Sequence, residues 1–483
     1  MIFPGFCGGS YESQSHFGDA QRTINLYPEV IESGSGKSQL ALYKAPGLNT
    51  FTSMTAGGEV LQMITVNDRL WTVTESGFYE VGDDGTARLI DATIYLGGST
   101  YSLASNGLQI MIVADGGATS MYCYTISTES ITEITTIAAS WVVFLDGYFI
   151  ALESSTSKIF VSGLYDGTSW DLLDFAVVAT DDSIVEIFTD HRELWCFGKK
   201  NTYLYYNSGN ADFPFERIQG ATIESGCIGH TITQLDNTLF WCGRDNRGQG
   251  VVWRAEGYRP VRISNHSIED VLRQSTDLDS SKAYSYSENG HQFYCLYVPD
   301  LSTTLVYDAA TGLWHERDWY NATTQQYEPH PAISHCFVFG YHLVGIRGNT
   351  FGTPGYIMKQ SLDYYDYCGL ADSMRWLRRA PYLYNEQKRV FFQSFELEIE
   401  TGVGTVSITD PTVSLRWSNN HSTTWNTGIE RAIGPYADGA SSQTRVRWQR
   451  LGSARNRIFE VSGSDAVPIS IFGANIELTP GSH

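Results

Sequence analysis

The chain has 483 residues, of which 13% are aromatic, and a formal net charge of −21. This length favours one large repeat domain with a smaller second domain over a single compact core. Residues 1–370 contain 20 Lys and Arg against 42 Asp and Glu, whereas residues 371–483 contain 12 against 11. Because a protein that grips nucleic acid needs cations to neutralise phosphates, the acidic first part argues against that class of function.

The N-terminal residues show no charged segment followed by an apolar one, and no apolar stretch is long enough for a membrane span. We therefore expect a soluble protein made in the cytoplasm. The eight cysteines form no Cys-x-x-Cys pair, and several stand inside apolar strand patterns such as 194–197 and 240–242. This pattern favours buried, reduced thiols over disulfides or metal ligands.

Residues 1–55 are rich in Gly and Ser and are expected to be irregular, apart from an apolar strand near Ile24 to Tyr27. We expect this strand to pair into the domain that follows, or to brace it. Residues 32–38 end in Gly36-Lys37-Ser38 and look like a phosphate-binding loop, but the position that requires Gly is Ile31. An exposed surface loop is the better interpretation.

Between residues 56 and 370 a phrase recurs seven times, in which a Gly, Asn or Asp turn joins two strand-forming runs. Its period of about 39 to about 53 residues is typical of a four-stranded propeller blade. The pattern predicts a β-propeller of six or seven blades. The seven turns lie near Asn67-Asp68, Asn106-Gly107, Asp146-Gly147, Asp190-His191, Asp236-Asn237, Asn289-Gly290 and Phe339-Gly340.

The repeat pattern stops at residues 371–385, which are basic and contain Pro381, so we place a domain junction there. Residues 386–483 again alternate polar and apolar side chains, with strands expected near 391–400, 413–417 and 445–449. About 100 residues of this kind suit a β-sandwich. The sequence therefore predicts an all-β protein, a propeller followed by a C-terminal sandwich.

One short motif in the second domain resembles the Asp-box, Ser-x-Asp-x-Gly-x-Thr-Trp, a hairpin turn of sialidases. Ser418, Asn420, Thr424 and Trp425 occupy four of its positions, with Asn420 in place of the Asp and Ser422 in place of the Gly. In sialidases this turn is structural and distant from the catalytic centre. We expect the same structural role here.

A basic cluster follows, in which Arg445, Arg447 and Arg450 stand on a predicted strand. Alternation along the strand is expected to project these side chains from one face. That face is either a solvated surface or a contact for an acidic partner, such as the propeller of a neighbouring subunit.

Motifs with a catalytic mechanism are absent from the sequence. No Gly-x-Ser-x-Gly elbow or His-Glu-x-x-His pattern occurs, and we interpret His191 and His230 as turn residues. We therefore expect no catalytic, metal-binding or cofactor-binding residues and no enzyme activity. A sialidase-like or glycan-binding propeller remains the alternative, and the oligomeric state would separate the two, since a glycosidase does not need a ring.

Nine phrases spread in order along the chain resemble the packaged-DNA stabilisation proteins of short-tailed bacteriophages, which form the tail hub or nozzle. They are 22–29, 36–38, 43–48, 267–273, 305–308, 400–404, 415–420, 445–452 and 455–460. The resemblance implies a homohexameric ring below the portal and its adaptor, with a closed gate and a central channel for genome ejection.

The same resemblance implies attachment of tailspike, fibre or needle proteins outside the ring, and only indirect contact with the host envelope. Duplex DNA is expected to pass without sequence-specific binding, in a virion tail assembled in the host cytoplasm. An acidic channel wall agrees with this expectation because DNA would slide along it without adhering.

Overall fold

A computed structural model of the chain describes residues 1–33, 38–54, 58–94, 100–115, 120–211, 213–244, 248, 250–348, 355–368, 374–405, 407–435 and 444–481. Nearly all regular structure in these ranges is β-strand. The loop at 32–38 that looks like a phosphate loop, and the first residues of the predicted junction at 371–385, lie largely outside the described residues.

Five strands precede the repeats: β1 (Tyr11–Glu12), β2 (Ala20–Ile24), β3 (Leu26–Val30), β4 (Leu40–Lys44) and β5 (Gly47–Ser53). These five strands comprise 24 of the first 53 residues, more regular structure than the irregular segment expected. The strand predicted near Ile24 to Tyr27 is divided into β2 and β3 at Asn25, whose φ of 53° turns the chain between two sheets.

Seven sheets follow, which we number as blades. Blade 1 contains β6 (Val60–Val66), β7 (Arg69–Thr74), β8 (Gly77–Val81) and β9 (Ala87–Asp91). Blade 2 contains β10 (Thr100–Ser105), β11 (Gln109–Asp115), β12 (Met121–Thr125) and β13 (Ser130–Ile134). Blade 3 contains β14 (Ala139–Leu145), β15 (Tyr148–Glu153), β16 (Lys158–Gly163) and β17 (Asp166–Val177). Blade 4 contains β18 (Ile184–Asp190), β19 (Glu193–Gly198), β20 (Thr202–Asn207) and β21 (Phe215–Ile223).

Blade 5 contains β22 (Thr233–Leu235), β23 (Thr238–Arg244), β24 (Gly250–Glu256) and β25 (Arg259–Arg262), and is followed by helix α1 (His266–Gln274) and a 3₁₀ turn at Leu278–Ser280. Blade 6 contains β26 (Lys282–Glu288), β27 (His291–Tyr297), β28 (Thr304–Asp308) and β29 (Leu313–Asn321), with β30 (Gln326–Pro329) paired to β29. Blade 7 contains β31 (Ala332–Val338), β32 (Tyr341–Ile346) and β33 (Tyr356–Ser361), completed by β5, which also pairs with β34 (Tyr367–Cys368).

The seven recurring phrases of the sequence are the turns between the first and second strands of the seven blades. The turns Asn67-Asp68, His191-Arg192 and Asp236-Asn237 hold both central residues at positive φ, as two-residue hairpins of the matching twist require. First strands of successive blades lie side by side, and β31 of blade 7 meets β6 of blade 1. The described residues therefore form a closed seven-bladed ring, within the predicted range of six or seven.

The ring is closed by β5, which pairs with β33 from Gly47↔Ser361 to Ser53↔Tyr356. The residue ahead of β5 is fixed by Arg317, a fully buried cation whose Nη2 donates to the Pro46 carbonyl at 2.7 Å. Ring closure thus belongs to β5, downstream of the Ile24–Tyr27 segment that the sequence analysis expected to pair into the propeller or to brace it. That segment pairs instead with the outermost strand of blade 6, through Ile24↔Glu316.

The second domain consists of two packed sheets. Its strands are β35 (Trp376–Arg379), β36 (Leu383–Tyr384), β37 (Val390–Ile399), β38 (Thr412–Ser418), β39 (Ile429–Ala432), β40 (Val446–Gln449), β41 (Ser453–Ala454), β42 (Asn456–Gly463) and β43 (Ser470–Pro480). One sheet has the order β3-β4-β43-β37-β40, and the other β2-β35-β42-β38-β39. Aromatic rings fill the space between them, with Phe395 5.2 Å from Phe459 and 5.9 Å from Trp448.

The N-terminal residues complete this sandwich. Phe3 and Phe6 lie in its core, and the Met1 amino group donates to the Ile476 carbonyl at 2.8 Å. The second sheet continues into blade 6 because β2 pairs in parallel with β29 at Ile24↔Glu316. The chain therefore starts in the sandwich, runs once round the propeller and returns to the sandwich, and one hydrogen-bonded sheet spans both domains.

Candidate functional site

The joint between blade 6 and the sandwich contains a buried charged network, which we call the joint network. Arg22 of β2 lies 3.7 Å from Asp318 and 3.8 Å from Glu12, and it donates from Nε to both Glu316 oxygens at 3.1 and 3.2 Å. Burial disfavours an ionised Glu316, but the Arg22 guanidinium outweighs burial and lowers the pKa of that carboxyl.

A second buried carboxyl lies beside this ion pair. Asp318 is fully buried, and burial together with the neighbouring Glu316 charge raises the pKa of Asp318 well above its ordinary value. Its Oδ1 accepts from Thr303 Oγ1 at 2.5 Å. The Arg22–Glu316 pair thus lies beside a carboxyl whose ionised form is disfavoured, and loss of either partner would leave a buried charge without compensation.

A second half of the joint network lies inside the sandwich. Arg379 Nε donates to Glu460 Oε2 at 2.9 Å and its Nη1 donates to Glu12 Oε1 at 2.9 Å, while Arg416 also pairs with Glu460. Strand order explains the cluster, since β35, β42 and β38 are neighbours and carry these residues at facing register positions. The network connects β1, β2, blade 6 and the sandwich through charge-assisted hydrogen bonds.

The Asp-box-like residues meet in one turn. The Asn420 side-chain oxygen accepts from the Thr424 backbone N–H at 3.0 Å, and Ser418 Oγ donates to the same oxygen at 2.9 Å. Ser422, in the place of the Gly, has φ 61°. The geometry is that of a capped hairpin turn, and it brings no carboxylate pair to this place.

Two guanidinium groups of the joint network lie over the ring of Trp425 in the same turn. The Arg416 and Arg379 guanidinium carbons lie 4.7 and 5.0 Å from its ring centroid. Cations over an indole face gain about 0.5–2 kcal/mol each, depending on their burial. The turn therefore acts on the sandwich side of the joint rather than on a substrate.

The predicted basic face consists of two residues rather than three. Arg445 donates from Nε to Glu396 at 2.7 Å, and Arg447 Nη2 donates to Glu477 at 2.8 Å, so the neighbouring strands of the same sheet balance both charges. Arg450 lies beyond the end of β40 with φ 61°. The sequence could not reveal the carboxylates that pair with Arg445 and Arg447, because they belong to other strands.

A cavity of about 380 Å³ opens on the propeller axis and is lined by the first strands of the blades. In it the His230 ring stacks on Trp141, with centroids 4.4 Å apart, and His230 Nδ1 lies 3.4 Å from Glu186. His230 forms an isolated β-bridge with Lys282 of blade 6, so the interpretation of His230 as a turn residue is wrong. His191 does lie in a turn. Glu186 is the one carboxylate among the described lining residues, and glycoside hydrolysis needs two.

Other sites are not evident in the described part of the chain. No group of three or more His, Cys, Asp or Glu side chains there could hold a metal ion. No helix in the described ranges is long and apolar enough to cross a membrane. Seven cysteines with described side chains are buried thiols, as predicted, and burial raises the pKa of Cys123 to about 12.

Two family models match the chain. One is described as Bacteriophage P22 Gp10, beta-propeller, and covers residues 6–353; the other is described as Bacteriophage P22 Gp10, beta-sandwich, and covers residues 375–479. The chain belongs to the P22 Gp10 family. Gp10 is a phage tail hub protein that stabilises packaged DNA, so the family is a structural one of the virion rather than a family of enzymes. The match confirms the predicted fold class and the family resemblance.

Solved structures similar to this Gp10-family chain include the Pan2 WD40 domain of Neurospora crassa, at 9% identity and a TM-score of 0.40, covering 65% of this chain and 95% of that one. YCF48 bound to D1 peptide is 12% identical with a TM-score of 0.38, covering 66% and 95%. The extracellular domain of BT4673 from B. thetaiotaomicron is 10% identical with a TM-score of 0.40, and the match covers 89% of this chain but 62% of that one. Among curated proteins, none matches the chain.

The sequence analysis of this Gp10-family chain missed the joint network. Its members stand far apart in the chain, as Glu12, Arg22, Glu316, Arg379 and Glu460 show. A partial signal was present, since Glu316, Arg317 and Asp318 place three charges in a row within a strand of otherwise apolar and aromatic residues. Charged side chains in a buried strand need partners of opposite charge, and Arg22 is a cation of the N-terminal segment that can meet this need.

Proposed function

We propose that six copies of this chain form a homohexameric ring, the tail hub or nozzle below the portal and its adaptor, with the genome leaving through a central channel. The observation that carries the proposal is the match of both domains, in order, to Gp10. The continuous sheet through β29 and β2 supports it, because a hub that holds packaged DNA under pressure needs domains that do not separate.

The charge of the chain supports a channel that does not adhere to DNA. An excess of 22 acids lies in residues 1–370, so a six-membered ring carries on the order of a hundred negative charges. These charges are screened only beyond about 8 Å at physiological salt. Duplex DNA close to such a wall is repelled from every side and passes without sequence-specific binding.

The remaining partners follow from the same proposal. One end of the ring meets the portal-adaptor ring, and tailspike, fibre or needle proteins dock on the outside, so that contact with the host envelope is indirect. The chain is assembled into the virion in the host cytoplasm. Among the described residues, the lining of the axial cavity contains one carboxylate, whereas a sialidase-like hydrolysis would need two acidic groups.

Electron microscopy of intact particles tests the proposal directly. A ring of six copies at the tail tip, below the adaptor and around an axial channel, is the expected result. A particle in which this chain forms no ring, or stands at the periphery as a single spike, would contradict it. Light scattering of the purified chain at high concentration gives the assembly mass independently.

A further inference from the structure

The outermost strand of blade 3 carries an exposed apolar bulge. In β17, Trp170 pairs with Ser162 and Phe175 pairs with Phe160 of the neighbouring strand β16. Residues 171–174, which lie between these two pairs, therefore leave the ladder and project from the rim. Leu173 is 81% exposed and Leu172 49%, with Val177 further along the same edge also exposed. We call residues 171–177 the blade 3 bulge.

No other blade shows such an edge in the described residues. Leu89 of blade 1 is the one further large apolar side chain exposed on an outermost strand there, and it stands alone. Open strand edges with exposed apolar side chains pair readily with other chains, so proteins keep them covered or charged. Together with Phe175, which is also exposed, the edge presents four apolar side chains, and such a patch is typical of an interface.

The occupant can be inferred from the chain itself. At one end of the sandwich, Tyr384 and Phe391 are exposed beside Arg389 and Arg455. Strand pairing brings them together, because Tyr384 faces Asn456, Phe391 faces Ser453, and Arg389 donates to Ser453 at 3.3 Å. We call these four residues the basic end. Neither arginine of the basic end is ion-paired within the described residues.

The two surfaces are complementary. The exposed Leu172 and Leu173 of the bulge follow the exposed acid Asp171, whereas the basic end presents two exposed aromatic rings together with two exposed arginines. Apolar contact with opposite charge at its rim is the usual composition of a specific interface. Blades 4 and 5 separate blade 3 from blade 6, so the bulge lies on the side of the ring opposite to the blade that carries the sandwich.

We propose that the blade 3 bulge docks on the basic end of a second copy of this chain. The inference rests on the proposed ring and names its contact. An interface between two different surfaces repeats head to tail, and such a contact closes into a ring when the rotation between copies allows it.

Substitutions on the bulge test the contact. The variant L172D/L173D is expected to shift assembly to at least about tenfold higher concentration in sedimentation velocity, since each leucine would lose a desolvated contact. L89D is the matched control, because Leu89 is 47% exposed on the equivalent strand of blade 1, and it should assemble like wild type. Circular dichroism and thermal melting confirm that all variants fold.

Cross-linking identifies the partner surface. In a Cys368→Ser background, the double variant L173C/R455C treated with a short bis-maleimide should give a ladder of covalent oligomers, both as purified chain and in phage particles. Each single-cysteine variant should stay monomeric. Dimers from a single-cysteine variant would indicate a two-fold contact and overturn the proposal, as would a cross-link to a different tail protein.

Charge reversal on both surfaces tests whether assembly can be rescued. D171R and R389D/R455D should each weaken assembly, and the combined variant should recover at least part of it. Rings that form normally in L172D/L173D would refute this contact while leaving the proposed hub intact. Absence of any ring in wild-type particles would instead refute the proposed function.

Discussion

Arg22 and Glu316, 294 positions apart in the chain, form a two-pronged ion pair at the place where one sheet passes from the propeller into the sandwich. Their strands share a single register position, Ile24↔Glu316, so the backbone alone holds this junction weakly. The ion pair and its neighbours supply the hydrogen bonds that a longer ladder would otherwise provide. The joint network therefore determines how firmly the two domains are connected.

Replacing Arg22 by Met should destabilise the protein by about 3–5 kcal/mol, because it leaves Glu316 buried and unpaired beside Asp318 and Glu12. Urea unfolding followed by fluorescence measures the change. Arg69→Met is the control, since Arg69 is 58% exposed and its pair with Glu80 should contribute at most about 1 kcal/mol. Equal effects of the two variants would show that the joint network does not hold the domains.

A histidine link makes part of the connection dependent on pH. His291 Nδ1 lies 2.8 Å from Asp308 in blade 6, and its Nε2 lies 3.5 Å from Glu29 of β3. The hydrogen bond to Asp308 raises the pKa of His291 above its ordinary value despite burial. A raised histidine pKa contributes stability that is full below about pH 6.5 and is lost as the pH rises through the folded-state pKa.

We therefore expect His291→Gln to lower the unfolding free energy more at pH 5.5 than at pH 8.5. Urea titrations of wild type and variant at the two pH values measure this difference. The titration of other groups contributes equally to both proteins and cancels in the comparison. A larger loss for His291→Gln at pH 8.5 would contradict the assigned charge.

The opposite sign is expected for Lys44, which is buried at the end of β4 and donates to the Asp465 carbonyl at 2.9 Å. Burial lowers the pKa of Lys44 to about 7. Its charge therefore destabilises the folded chain fully below pH 7, and this cost disappears as the pH rises towards the ordinary lysine value of about 10.4.

Lys44→Met should consequently raise the free energy of unfolding relative to wild type at pH 6. This change should be more favourable than the change at pH 9.5 by more than about 1 kcal/mol, since one pKa unit corresponds to about 1.4 kcal/mol. Thermal and urea unfolding at both pH values measure the difference.

The sandwich turn offers a local test. Asn420→Ala removes the acceptor for the Thr424 N–H and for Ser418 Oγ, so we expect a loss of about 1 kcal/mol, comparable to the loss of a helix cap. Asn420→Asp restores the usual Asp-box residue and should keep most of the stability. A loss greater for Asp than for Ala would show that the amide N–H bond to Thr424, at 2.9 Å, is the important contact.

The blades could be predicted because their information is local. The hairpin turns contain residues that tolerate positive φ, such as Asn67-Asp68, and all seven turns were found in the sequence. The strand pairing of residues 1–53 could not be predicted in this way. Gly47 to Ser53 reads like any other short strand, and its assignment to blade 7 depends on pairing with Tyr356 to Ser361, about 300 positions away.

The same limit applies to the candidate sites. The turn around Asn420 was recognised since its contacts lie within a few residues of one another. His230 was misjudged because its partners, Trp141 and Glu186, belong to other blades and meet only at the ring axis. Helix α1 was missed too, although Asn265 caps it through the Ile268 N–H, a signal that its short length obscures.

The charge of the chain leads to the final prediction, which concerns DNA. Purified protein should fail to retain duplex DNA in gel-shift or filter-binding assays, even at about 10 mM salt, where the Debye length of about 30 Å leaves surface charge unscreened. The physical reason is the 42 acids against 20 bases in residues 1–370, which provide few cations for release of counterions from DNA.

One double variant and one control protein sharpen the DNA test. Arg389→Glu/Arg455→Glu removes the exposed arginines of the basic end and should leave the negative result unchanged, which separates the basic end from any weak residual binding. An established basic DNA-binding protein run in parallel verifies the assay. Tight binding by wild type that weakens steeply with added salt would reveal a DNA-gripping surface, and the channel would then have to hold the genome by adhesion instead of letting it slide.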